Sequence, residues 1–142
     1  MKRRLLMLSA AALLAGCATG PSVSDLGARI PPIPQQMGRI WFYRSGTPFG
    51  AAVQPAILVN GSKVGDAVPG GAFWRDAMPG NYEVSTSTEV ENKLTFTLAA
   101  GEVRFVETHI VPGILVGRIV PRLVQPEQGR EDIASKSLTS PL

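Results

Sequence analysis

No amphipathic stretch of helical length occurs before Pro126, and this confines the body of the chain to short strands. Apolar residues alternate with polar ones instead. Tyr82, Val84, Thr86 and Thr88 fall on one side of an extended segment, with Glu83, Ser85 and Ser87 on the other; Leu94, Phe96 and Leu98 repeat the period against Lys93, Thr95 and Thr97. Ala56 to Val59 runs into Asn60-Gly61, a pair that readily supplies the two positive φ angles of a two-residue hairpin, and Lys63-Val64-Gly65 opens the return strand. A second hairpin is expected after it, with Gly70-Gly71 ahead of Ala72 to Arg75 and Pro79-Gly80-Asn81 turning the chain before Tyr82. Arg39 to Arg44 is apolar on both faces, Ile40 and Phe42 against Trp41 and Tyr43, which predicts a central strand. The alternation in Val103 to Val106 slips where Phe105 and Val106 are adjacent, as at a bulge or in a strand covered on both faces. Pro121 interrupts the apolar run from Ile114 to Val124 and leaves one short strand around Ile119. Pro126 and Glu127 suit the opening of a short helix that ends by Lys136. Together these segments predict an all-β fold: an antiparallel β-sandwich of about seven to eight strands over residues 38–125. A C-terminal segment, 126–142, follows as a short helix and a frayed tail.

The start of the chain reads differently. Lys2-Arg3-Arg4, an apolar run from Leu5 to Ala15 broken only by Ser9, and small residues before Cys17 make residues 1–16 a signal peptide. A run of eleven positions at most falls short of the roughly 20 that cross a bilayer as a helix. Leu14-Ala15-Gly16-Cys17 resembles the lipobox of bacterial lipoproteins, which implies that Cys17 is acylated and becomes the first residue of the mature chain. In proteobacterial lipoproteins an aspartate after that cysteine usually retains the protein at the inner membrane; Ala18 therefore implies the periplasmic face of the outer membrane. Residues 17–37 then read as the lipidated cysteine and a proline-rich tether, whose twenty residues at roughly 3 Å each would reach about 60 Å. Removing Lys2, Arg3 and Arg4 leaves eleven basic against eleven acidic side chains, so the basic balance of the precursor belongs to its leader. Without a basic stripe interleaved with aromatics, nucleic acid is not an expected partner.

Several runs carry a likeness that periodicity does not supply: Arg39 to Arg44, Pro55 to Gly61 with Val64-Gly65, Gly71-Ala72-Phe73, Pro79 to Tyr82, Thr88 to Glu91, Ala100-Gly101-Glu102 and Gly117-Arg118-Ile119. They resemble the bacterial lipoprotein family catalogued as domain of unknown function 2846, over roughly residues 38–124. The resemblance implies a small all-β envelope domain of the transthyretin-like or immunoglobulin-like sort and brings no catalytic residues with it.

Chemistry-bearing residues are few. His109 is the single histidine and, with Cys17 acylated, no thiolate accompanies it, so neither a metal nor another cofactor is expected; Glu107 could only flank the same patch. A triad would need His109 beside Ser85 or Ser87 and an acid such as Asp66 or Asp76, yet no nucleophile-elbow sequence is present. Glu83, Glu89 and Glu91 are explained by pairing with Lys93 or Arg104. Trp41, Tyr43, Phe73 and Trp74 are more aromatics than one small core takes comfortably; core packing is the simpler account, and an exposed member would stack on a glycan or anchor a partner. The candidate binding surface is therefore Trp41, Tyr43, Trp74, Arg75, His109 and Arg118, with Arg44 as a further rim residue. These features favour a non-enzymatic binding or assembly module that meets the membrane through its lipid anchor and contacts an envelope protein or peptidoglycan. The alternative is a small periplasmic hydrolase acting on cell-wall glycan or peptide, which requires His109 or two carboxylates to face one pocket.

Overall fold

A computed structural model describes residues 16–139. The expected signal peptide up to Ala15 and the last three residues of the tail lie outside the described residues. The strands are β1 (Gly38–Tyr43), β2 (Ala56–Val59), β3 (Ser62–Asp66), β4 (Gly71–Ala77), β5 (Gly80–Ser87), β6 (Glu91–Leu98), β7 (Val103–Val111), β8 (Arg118–Val124) and β9 (Ser137–Leu138). A four-residue helix α1 (Val23–Leu26), followed by a 3-10 turn over Gly27–Arg29, precedes them, and helix α2 (Pro126–Ala134) lies between β8 and β9. The strands form two sheets, ordered β8-β7-β1-β4-β9 and β3-β2-β5-β6, in a β-sandwich-like arrangement.

The central position expected for β1 holds, because its two apolar faces serve two different cores. Ile40 and Phe42 point between the sheets, where they meet Ile57, Phe73, Val84, Phe96, Val106 and Ile119. Trp41 and Tyr43 point the other way and pack with Phe105, Ala72, Val23, Leu26, Ile133 and Leu138. The aromatics that seemed too many for one core are divided between two: Phe42 stacks on Phe73 at 5.1 Å and Trp41 meets Trp74 at 5.1 Å. Phe105 and Val106 are each buried, on opposite faces of β7, with no register shift against β1 or β8. The phase slip therefore marks double coverage. The bulge falls elsewhere, between Ile57 and Leu58.

Four expectations are corrected. The sandwich is mixed rather than antiparallel, since β1 runs parallel to β7 and β4 parallel to β9. The second hairpin is absent: β3 and β5 lie in one sheet and β4 in the other, so Ala67–Gly70 and Met78-Pro79 carry the chain between layers. The ninth strand comes from the supposed frayed tail, where Ser137 and Leu138 pair with Gly71 and Ala72 and bury Leu138 against the outer core. The tether is docked: Val23 N–H donates to Lys136 C=O at 2.8 Å, Leu138 N–H to Pro21 C=O at 2.9 Å, and the Arg39 guanidinium to Pro31 C=O at 2.9 Å. The physical reason is apolar burial, because Val23 and Leu26, one turn apart, close over Trp41.

Other local readings hold. Asn60 and Gly61 have φ of 49° and 82°, and Val59 pairs with Ser62 across them. Pro121 lies in β8, an edge strand, where its missing N–H interrupts no inner ladder.

Candidate functional site

Three side chains come into line because their strands are in register. Tyr43 of β1 pairs with Glu107 of β7, and Glu107 with Arg122 of β8, which sets them side by side on the outer face of the five-stranded sheet. Helix α2 then crosses this face. Its Gly129 and Ile133 turn inward, and Gly129 makes the close approach possible: a β-carbon there would stand 2.2 Å from Phe105 Cγ. Gln128 and Asp132, four residues apart and thus on one helix face, reach the registered row.

The contacts are short. Tyr43 Oη donates to Asp132 Oδ2 at 2.6 Å, and Gln128 Nε2 to Asp132 Oδ1 at 2.7 Å. Arg122 reaches Glu107 Oε2 through Nε at 2.6 Å and Nη2 at 2.5 Å. With Ser45, Val124 and Lys136 these side chains line an open cleft of about 280 Å³. Burial, followed by the hydrogen bond to Asp132 and the charge of Glu107, pushes the Tyr43 hydroxyl far above its ordinary range, so it stays protonated and acts as a donor. His109 stands at the margin, with Nδ1 3.8 Å from Glu107 Oε1. The cleft presents guanidinium and ammonium donors beside carboxylate acceptors, a set that matches a polar ligand carrying both donors and acceptors.

The candidate surface divides. Trp41 and Tyr43 are only 5% and 3% exposed, and Trp74 is half-buried with the Arg39 guanidinium 5.0 Å over its ring. They belong to the outer core, in line with the core-packing account, and the alternative of an exposed aromatic binding surface at Trp41, Tyr43 and Trp74 is corrected. Tyr43 still contributes its hydroxyl, and it shares the margin with His109. Arg75 lies apart, donating to Val64 C=O at 2.6 Å, and Arg118 stands beside Glu89 at 3.9 Å. Arg44, read as a rim residue, is buried.

The acids are also distributed. Lys93 pairs with Glu83 at 3.2 Å and lies 3.9 Å from Glu91, as expected, whereas Arg104 pairs with Glu102 and Glu89 accepts from backbone N–H groups. No triad assembles on the residues considered for it: Asp76 is held by Arg39 at 2.7 Å, Asp66 by Lys63 at 2.9 Å, and Ser85 is buried in the other sheet. Arg122, Gln128 and Asp132 went unnoticed in the sequence. The spacing of Gln128 and Asp132 after a helix-opening Pro126 was the available signal.

No curated protein and no solved structure matches the chain. A family model described as a protein of unknown function, DUF2846, matches residues 34–118. The match takes in Tyr43 and Glu107 and ends before Arg122 and α2, so the far wall of the cleft lies beyond it. As it spans more than half of the sequence, the chain belongs to the DUF2846 family.

Proposed function

We propose that the protein is a lipid-anchored envelope protein at the periplasmic face of the outer membrane, a non-enzymatic module that binds an envelope protein or peptidoglycan. We assign its sandwich to the transthyretin-like or immunoglobulin-like sort. Leu14-Ala15-Gly16-Cys17 and the exposure of Cys17 support the anchor. The observation that carries the binding role is the cleft, where Tyr43, Glu107 and Arg122 from three registered strands meet Asp132 and Gln128 with their hydrogen-bonding groups already oriented. A recess of that polarity suits the peptide or sugar of a cell-wall polymer.

A hydrolase acting on the same polymers is the second reading, favoured by the two carboxylates, Glu107 and Asp132, that face one cleft. Both are already engaged, Glu107 by Arg122 and Asp132 by Tyr43 and Gln128, which suits recognition better than proton transfer. The test presents disaccharide-peptide fragments to the purified protein and to Asp132→Asn and Arg122→Ala variants. Fragments retained unchanged by the parent, and weakly by the variants, are the expected result. Cleavage abolished by Asp132→Asn would replace the binding reading with the hydrolase.

A further inference from the structure

Cys17 stands at one end of the sandwich. The N–H of Ala18 donates to Pro69 C=O at 3.0 Å. The chain is therefore tied to the loop over 67–70 from the first residue after the cysteine, and the N–H of Gly70 donates to Arg44 C=O at 3.1 Å, which sets that loop against the start of the one over 44–55. Acyl chains on Cys17 would leave a spacer of a single residue, and this end of the body would have to meet the membrane surface.

Among the described residues, the most exposed apolar side chains lie at this same end. β7 continues four residues past Glu107, the partner of Tyr43, before it turns, so the loop to β8 projects beyond the end of β1. At its tip Ile114 is 85% and Leu115 89% exposed, and Phe49 in the neighbouring loop is 58% exposed. The two loops meet over Ile110, whose Cδ1 lies 1.8 Å from where a β-carbon on Gly50 would stand and 2.9 Å from one on Gly117.

Neither loop is held by apolar packing of its tip. The Glu89 carboxylate accepts from the N–H groups of Ile114 at 2.9 Å, Leu115 at 2.8 Å and Val116 at 2.7 Å. On the other loop Arg44, 2% exposed, donates to Gly50 C=O at 2.8 Å and Val53 C=O at 2.5 Å, and reaches across to Ala67 C=O at 2.8 Å. Internal polar clamps thus keep apolar side chains in an exposed position that is unfavourable in water and favourable in hydrocarbon.

We infer that Phe49, Ile114 and Leu115 insert into the phospholipid bilayer that holds the Cys17 anchor, so that the domain rests on the membrane by this end with the Asn60-Gly61 hairpin pointing away. The inference rests on acylation of Cys17, and it commits to lipid because the anchor emerges at the same end of the sandwich as the tip.

The experiment uses the full chain, processed in cells and reconstituted into phosphatidylethanolamine–phosphatidylglycerol vesicles, with a thiol-reactive fluorophore on Leu115→Cys or, at the opposite end, Lys63→Cys. Brominated lipids should quench the dye at position 115 several-fold more than at position 63. A parent chain that itself takes up dye has a free Cys17, and the anchor and the insertion fall together. A parent that takes none, with equal quenching at the two positions, leaves the anchor standing and overturns the insertion. A dye at 115 that is blue-shifted but unquenched places the tip against protein and overturns it as well.

Discussion

A buried arginine without a carboxylate partner is costly unless its donors find acceptors, and Arg44 directs three of its five N–H donors to main-chain carbonyls. Burial lowers its pKa from the ordinary guanidinium range. Arg44→Leu would leave those carbonyls unpaired, and we expect a loss of roughly 2 to 5 kcal/mol in denaturant melts. An unchanged midpoint would show that water replaces the guanidinium freely. Glu89 mirrors this arrangement with an anion. The N–H of Ile114 foremost, then those of Val116 and Leu115, and the nearby Arg118 hold its carboxyl below the usual range. A depressed carboxyl stabilises the folded loop above its unfolded pKa, about 4.3, and that contribution is lost as pH falls through the lower folded value. The amide resonances of Ile114, Leu115 and Val116 should therefore titrate together, with a midpoint below the ordinary carboxylate range. Independent or higher midpoints would separate the loop from Glu89. Neither clamp was legible in the sequence, where a rim arginine and a buried one look alike and Glu89 reads as one more strand acid.

Among the elements, strands were legible wherever burial is one-sided or total, because a period of two and a doubly apolar run are each local patterns. The partition into sheets was not, since Gly70-Gly71 and Pro79-Gly80 turn the chain equally well within a sheet or between sheets. Only Asn60-Gly61 specified its pairing, through two positive φ angles. Gly61→Val, at φ 82°, should cost on the order of 1 to 3 kcal/mol in the same melts, and a smaller loss would mean the hairpin relaxes. Tyr43 and His109 were recognised as site candidates, but Arg122 depends on the register of a hairpin with a long loop and Asp132 on how α2 lies over the sheet, neither of which is a local property. That helix placement hangs on Gly129. Alanine is the better helix former by about 1 kcal/mol. Its β-carbon would nevertheless stand 2.2 Å from Phe105 Cγ, so Gly129→Ala should destabilise by roughly 1 to 3 kcal/mol and move the Asp132 carboxylate away from Tyr43. Thermal melts, together with the chemical shift of the Tyr43 ring, measure both effects, and a stabilised variant would mean that α2 packs less closely.

At the scale of the whole molecule, the distance between anchor and body depends on whether residues 18–37 are spacer or structure. Their prolines read as spacer because extended chain is what such composition favours, and the two residues that decide otherwise, Val23 and Leu26, are too few to show a period. Both are buried against Trp41, Ile133 and Leu138, and the segment is stitched to Lys136, Ser137 and Leu138 by Pro21, Ser22 and Val23 at the start of α1. The proposed anchor and this docking make separable predictions in the chain without its leader. Cys17→Ala should leave the unfolding midpoint where it was, because the cysteine side chain is exposed and the first bond to the body begins at Ala18. In the precursor the same change should abolish acylation, which mass spectrometry of the mature amino terminus reads directly. Deleting residues 18–30 should instead uncover the outer core and remove two buried aliphatic side chains, at a cost of roughly 2 to 5 kcal/mol once residual burial in the unfolded chain is discounted. Denaturant melts of the two chains, compared at equal slope, distinguish the cases. If the deletion melts with the parent, residues 18–37 are a spacer, the domain hangs free of the membrane, and the resting pose inferred for Phe49, Ile114 and Leu115 loses its geometric basis.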